Sequence, residues 1–92
     1  MSAALPASFV NLAGSEVVIS VRKGGLNDVL DRIAKTASID GYALEWDHAA
    51  GRERVSMKAK APWNRILQEV AAKNHRLLVA KGKEVFIVTT PK

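Results

Sequence analysis

Glu16-Val17-Val18-Ile19-Ser20-Val21-Arg22-Lys23-Gly24-Gly25-Leu26-Asn27-Asp28-Val29-Leu30-Asp31-Arg32-Ile33-Ala34 changes its apolar period once, from two residues to about 3.6. Up to Lys23, the apolar Val17, Ile19 and Val21 alternate with Glu16, Ser20 and Arg22, as a half-buried strand requires; Val18 is an apolar exception on the outer side. Gly24-Gly25 is expected to break the strand. Leu26, Val29, Leu30, Ile33 and Ala34 then recur at i, i+3, i+4, i+7 and i+8, which places them on one stripe of an amphipathic helix. On its other face Asp28 precedes Arg32 and Asp31 precedes Lys35 by four residues, acid before base.

Downstream the same two periods return in the same order. Residues 38 to 41 end the first helix, and Tyr42, Leu44 and Trp46 alternate with Ala43, Glu45 and Asp47 in a second strand. Ala49-Ala50-Gly51-Arg52 turns the chain into a third strand, where Val55, Met57 and Ala59 face one way and Arg54, Ser56, Lys58 and Lys60 the other. Pro62 is predicted at the first position of a second helix, where its missing N–H has no intrahelical partner to lose. Trp63, Ile66, Leu67, Val70 and Ala71 repeat the helical stripe; Lys73 and His75 suit its negative end, and Asn74 suits a left-handed cap. Residues 76 to 80 and 84 to 90 read as two strands around Lys81-Gly82-Lys83, with Pro91 closing the sheet. Val85-Phe86-Ile87-Val88 shows no alternation, so that strand is expected to be covered on both faces. The predicted order is βαββαββ, an α+β domain in which the strand-to-helix unit occurs twice.

Composition restricts the function classes. With 92 residues, and without a Gly/Ser-rich or charge-block linker, the chain is expected to form one domain over residues 16 to 90, preceded by an extension or linker over residues 1 to 15. No apolar run approaches the roughly 20 residues of a membrane-spanning helix, and the first six residues lack the basic start and apolar stretch of a signal peptide, so the chain is expected to be soluble. The absence of cysteine excludes disulfides, thiolate metal sites and thiol nucleophiles. A net charge of +5 biases the surface toward acidic partners.

Few residues suggest chemistry. His48 and His75 are the only histidines and are not at metal-ligand spacing, so neither metal nor cofactor is expected. Asp47-His48 with Ser38 lacks a nucleophile elbow and a Gly-rich oxyanion loop, and the chain is not expected to be an enzyme. Gly24-Gly25 lacks the lysine and hydroxyl of a phosphate loop and reads as a strand-to-helix turn. Trp63 lies on an apolar stripe and belongs in the core, whereas Trp46, at the end of a strand, is a candidate binding anchor. Arg54, Lys58 and Lys60, with Arg52 beside them, form a basic ladder that is either a solvated strand face or a docking face for an acidic partner. A nucleic-acid reader would place aromatic platforms among these cations, and none is present; a KH-type Gly-x-x-Gly loop is absent as well.

The run from Val17 through Ala34, followed by Tyr42-Ala43-Leu44-Glu45-Trp46-Asp47, residues 51 to 60, Ala61-Pro62-Trp63 with Leu67, residues 74 to 78 and the closing residues 84 to 88, resembles the secretin and TonB N-terminus short domain. One departure is Ser38-Ile39-Asp40 ahead of Gly41, where that family commonly has glycine directly after the first helix. The resemblance implies two helices packed between a two-stranded and a three-stranded sheet, and a periplasmic location in or beside an outer-membrane complex. It implies a non-catalytic interaction role in a secretion or type IV pilus machine, with assembly proteins such as inner-membrane periplasmic segments as partners, no small-molecule substrate, and a ring as the candidate oligomer of the full assembly. The alternative branch of the family is the signalling domain of a TonB-dependent transducer; a small basic nucleic-acid-binding domain is the alternative from a different class. Nothing after Lys92 resembles a secretin channel or a transport barrel, so the chain is expected to be an excised domain or a stand-alone accessory protein.

Overall fold

The computed structural model describes residues 5 to 89. A short helix, α1 (Ala7–Val10), precedes β1 (Glu16–Gly25), α2 (Leu26–Ile39), β2 (Ala43–Trp46), a 3-10 turn (His48–Ala50), β3 (Arg54–Pro62), α3 (Trp63–Lys73), β4 (Arg76–Lys81) and β5 (Glu84–Thr89). The two predicted apolar periods become the two inner layers. β1 and β3 pair antiparallel in a two-stranded sheet, and β2-β5-β4 forms a three-stranded sheet in which β2 runs parallel and β4 antiparallel to the central β5. Helix α2 packs on β1 and β2, α3 on β3 and β4, and the helices on each other, so both lie between the sheets. Each strand-to-helix unit therefore starts in the smaller sheet and delivers its next strand to an edge of the larger one.

The core consists of the predicted stripes and the inward strand residues. Leu26, Val29, Leu30 and Ile33 from α2, Trp63, Ile66, Leu67 and Val70 from α3, and Val17, Ile19, Val85 and Ile87 from the sheets are all buried. At about 25 cal/mol per Å² of apolar surface removed from water, these side chains are the main source of stability. The acid–base pairs predicted on the outer face of α2 do not close to ion-pair distance; an exposed pair gains little over its solvated charges.

Local geometry departs from the sequence reading at several places. Gly24-Gly25 does not end β1, which continues to Gly25 past a bulge between Val21 and Gly24. The extra residue places Lys23 at φ 53°, and its N–H donates to Ser56 Oγ at 2.9 Å. Helix α2 runs to Ile39, and Gly41 at φ 81° closes it: Gly41 N donates to Ser38 O and Tyr42 N to Ala37 O, both at 3.0 Å, a Schellman pair that replaces a glycine directly after the helix. Pro62 is the N-cap of α3 rather than its first residue, because its extended ψ of 141° still belongs to β3. The left-handed residue after α3 is His75, at φ 54°, and Asn74 instead donates its Nδ2 to Val70 O. Around Gly82 (φ 59°) a two-residue loop joins β4 to β5, the type II′ pattern that matches strand twist.

Two larger differences concern packing. β5 is central in its sheet but not covered on both faces: Val85 and Ile87 are buried, whereas Val88 is 44% exposed and Phe86 is half-buried. Both helices pack on the inner face of the sheet, so the apolar outer positions face solvent. Thr90 and Pro91, assigned to the end of this strand from sequence, lie outside the described residues. Ahead of β1, residues 5 to 15 reach the core through Phe9. Phe9 is 2% exposed, edge-on to Tyr42 and Trp63 with ring centroids 6.4 and 5.7 Å away. Asn64, at the start of α3, donates its Nδ2 to Phe9 O (3.1 Å) and Leu12 O (3.2 Å), tying the end of α1 and the residues after it to α3.

Candidate functional site

The basic ladder lies on the outer face of the two-stranded sheet. Its antiparallel register sets Lys58 opposite Ser20 and Lys60 opposite Val18, while Val55, Met57 and Ala59 turn toward the helices. Lys58, Lys60, Ser20 and Val18 are all exposed, and Val18, at 53%, is an apolar spot among cations. Arg22 continues this face along β1. At the far end Arg54 pairs with Gly25, and its Nη1 lies 3.3 Å from Lys23 O, so the bulge anchors it. From residue 54 to residue 60 the strand rises about 20 Å. Glu16 tempers one end, with its carboxylate 3.8 Å from Lys60 Nζ. Both side chains there are more than half exposed, so this pair leaves the face open to a competing anion.

The five residues singled out from sequence do not form one patch. Arg54, Lys58 and Lys60 share the outer face of β3, and Arg52 is exposed in the loop just before it. Trp46 belongs to the other sheet. It is half-buried, its Nε1 donates to Asn27 Oδ1 at 2.9 Å, and its ring stacks on His48 at 4.6 Å between centroids. Asn27 also donates to His48 O at 2.8 Å and fills the space above Gly51, where a Cβ would overlap its amide. The asparagine thus fixes both the indole and the 3-10 turn.

Arg76 was not marked by any sequence pattern, yet its side chain is 8% exposed and holds the loop ahead of β3. It donates to Asn74 O, Ala50 O and the Glu53 carboxylate at 2.5, 2.6 and 2.6 Å. A buried guanidinium needs such partners, and these belong to residues 23 and 26 positions away in the chain as well as to its neighbour. The segment that leads Arg52 and Arg54 to the surface is therefore anchored from β4.

Asp40, the C-cap of α2, accepts from Ser15 N (2.7 Å), Ser15 Oγ (2.8 Å) and Trp63 Nε1 (2.8 Å). The Ser15 backbone donor, then its hydroxyl, then the indole hold the carboxyl below its ordinary 3.8, with the charge of Lys83 adding and partial burial opposing. These contacts tie the N-terminal segment to both helices and touch neither the basic face nor the Trp46 end. Because the native pKa is depressed, the contribution is complete above the ordinary value of 3.8 and is lost as pH falls through the lower native value. Urea unfolding midpoints are expected to drop on acidification below that range, and Asp40→Asn should flatten this part of the profile; an unchanged profile would remove Asp40 from the acid response.

Among the described residues, no three His, Asp or Glu side chains gather as a metal site, and no helix is long and apolar enough to cross a membrane. No family model matches the chain and no curated protein matches it. Among solved structures it is similar to the N0 domain of the type II secretin from enterotoxigenic Escherichia coli, with a TM-score of 0.65 and 7% identity, over 85% of this chain and 100% of that one. The similarity is one of backbone arrangement: two helices between a two-stranded and a three-stranded sheet, the fold of a secretin N0 domain.

Proposed function

We propose that the chain is a non-catalytic protein-interaction domain of an envelope-spanning secretion or type IV pilus machine, acting in the periplasm to dock an outer-membrane channel to periplasmic or inner-membrane components. The observation that carries this reading is a basic, solvent-facing sheet on an N0-like fold. Lys58, Lys60 and Arg22 share a face of a two-stranded ribbon, with Arg54 fixed at its end and the exposed Val18 between them. An acidic partner surface would meet several cations on one rigid support, which favours encounter rate and register more than raw affinity. Arg52 adds charge beside the ribbon; Trp46 contributes from the second sheet.

The test is a cross-linking pull-down from a bacterial envelope fraction with the full chain as bait and mass spectrometry as readout, run beside Arg54→Glu/Lys58→Glu/Lys60→Glu. All three side chains are exposed, so the variant is expected to fold with an unchanged circular dichroism spectrum. The expected result is recovery of an inner-membrane secretion or pilus component by the wild type and its loss, by about ten-fold or more, in the variant. Equal recovery by both proteins would overturn the basic-face reading. Capture of an anti-sigma regulator would move the domain to transducer signalling, and capture of nucleic-acid-associated proteins only, abolished by nuclease, would replace the periplasmic reading with nucleic-acid binding.

A further inference from the structure

The larger sheet has a notch on the side away from β4. β5 extends from Glu84 to Thr89, but β2 pairs with it only as far as Ile87, because the chain leaves the sheet after Trp46. It leaves because Asp47 caps the 3-10 turn, its Oδ1 accepting from Ala49 N at 3.0 Å. Among the described residues, Val88 and Thr89 thus have no strand neighbour on that side. The notch opens onto a shallow groove of about 500 Å³, floored by Phe86 and Val88, walled by Trp46, and rimmed by Glu45 and Asp47.

Its surroundings have two chemical characters. The cross-strand pairs Leu77–Val88 and Val79–Phe86 continue the floor as an apolar outer face. An incomplete strand edge beside such a face is a template for another extended chain. The charge at the groove is opposite to that of the whole molecule: 14 Lys and Arg outnumber 9 Asp and Glu, yet the charged residues that line it are Glu45 and Asp47. The wall is also fixed in advance, since the Trp46 indole is tied to Asn27 and stacked on His48, so little order has to be gained on binding.

We propose that this notch takes an extended segment of a partner protein that carries basic and apolar residues on one face, laid beside Val88 and Thr89 in continuation of β2. Register places Glu45 on the face of Phe86 and Val88, so the apolar side chains of that segment face lie on Phe86 and Val88 while its cations meet Glu45 and Asp47. The domain then has two docking faces of opposite sign, one on each sheet, and can hold an acidic and a basic partner together. This site does not depend on the basic ribbon for its chemistry, and the variants that test the two faces share no residue.

The probe is a blocked hexapeptide, Lys-Thr-Val-Thr-Val-Thr, with lysine and valine on one face, titrated into the isotope-labelled full chain and followed by amide chemical shifts. Saturable shifts confined to residues 45 to 47 and 86 to 89 are expected, with none from the matching peptide that has glutamate in place of lysine. Glu45→Gln/Asp47→Asn removes both charges while keeping a capping oxygen at residue 47, and is expected to weaken the peptide about five-fold or more. No saturable shifts, shifts centred on the β1–β3 ribbon, or equal binding of the acidic peptide would overturn the proposal. So would shifts at the same residues on concentrating the protein alone, since the occupant would then be a second copy.

Discussion

Trp63→Ala is expected to lower stability by about 3–5 kcal/mol, the range for removing a fully buried aromatic side chain. The indole is 0% exposed, lies 5.7 Å from the Phe9 ring and 5.1 Å from the Tyr42 ring, and donates to Asp40. Truncation would leave a void among those rings and deprive the Asp40 carboxylate of one of its donors. For a domain of this size, even 3 kcal/mol lowers the melting temperature by roughly 12–24 °C, readily seen in thermal unfolding by circular dichroism. Trp63→Phe keeps most of the apolar volume and loses the donor, so its cost should fall well below that of alanine. Equal costs for the two would assign the stabilisation to the Asp40 bond rather than to packing. A loss under about 1 kcal/mol for Trp63→Ala would contradict the buried environment.

Phe9→Ala is expected to cost about 3 kcal/mol, at the lower end of the same range, because the short α1 segment can fray and let the remaining core relax. The segment is held by Phe9 in the core, by Asn64 on its carbonyls and by Ser15 on Asp40. Loss of the ring should release the first of these contacts and weaken the second. Hydrogen exchange would show faster exchange at residues 9 to 12, and chemical denaturation a lower midpoint. Since Phe9 and Trp63 are in contact, the double alanine variant should lose less than the two single losses together. Strict additivity, or an unchanged midpoint for Phe9→Ala, would mean that the segment is no part of the cooperative unit.

These two residues differ in how visible they were before the fold was known. Trp63 sits at the head of a helical stripe with Ile66, Leu67 and Val70, and periodicity alone assigns it to the core. Phe9 has no such neighbours. Ala7-Ser8-Phe9-Val10 is a single helical turn, too short to show a period, and its burial depends on partners at positions 42 and 63. The candidate surfaces divide in the same way. Alternation along β3 was enough to place Arg54, Lys58 and Lys60 on one side, whereas the groove beside β5 arises from β2 ending short of a strand some forty residues later.

The element order βαββαββ, both helical stripes and the basic side of β3 follow from side-chain period, which is set within ten or so consecutive residues and needs no knowledge of the partner strand. Which strands pair, which sheet face stays open and which loops are clamped depend on contacts between distant residues, as with Arg76 on Glu53 and Asp40 on Ser15. Val85-Phe86-Ile87-Val88 shows the limit most clearly. Four consecutive apolar side chains suit a strand covered on both faces, but two helices fill only the space between the sheets, and the outward Phe86 and Val88 are left facing solvent.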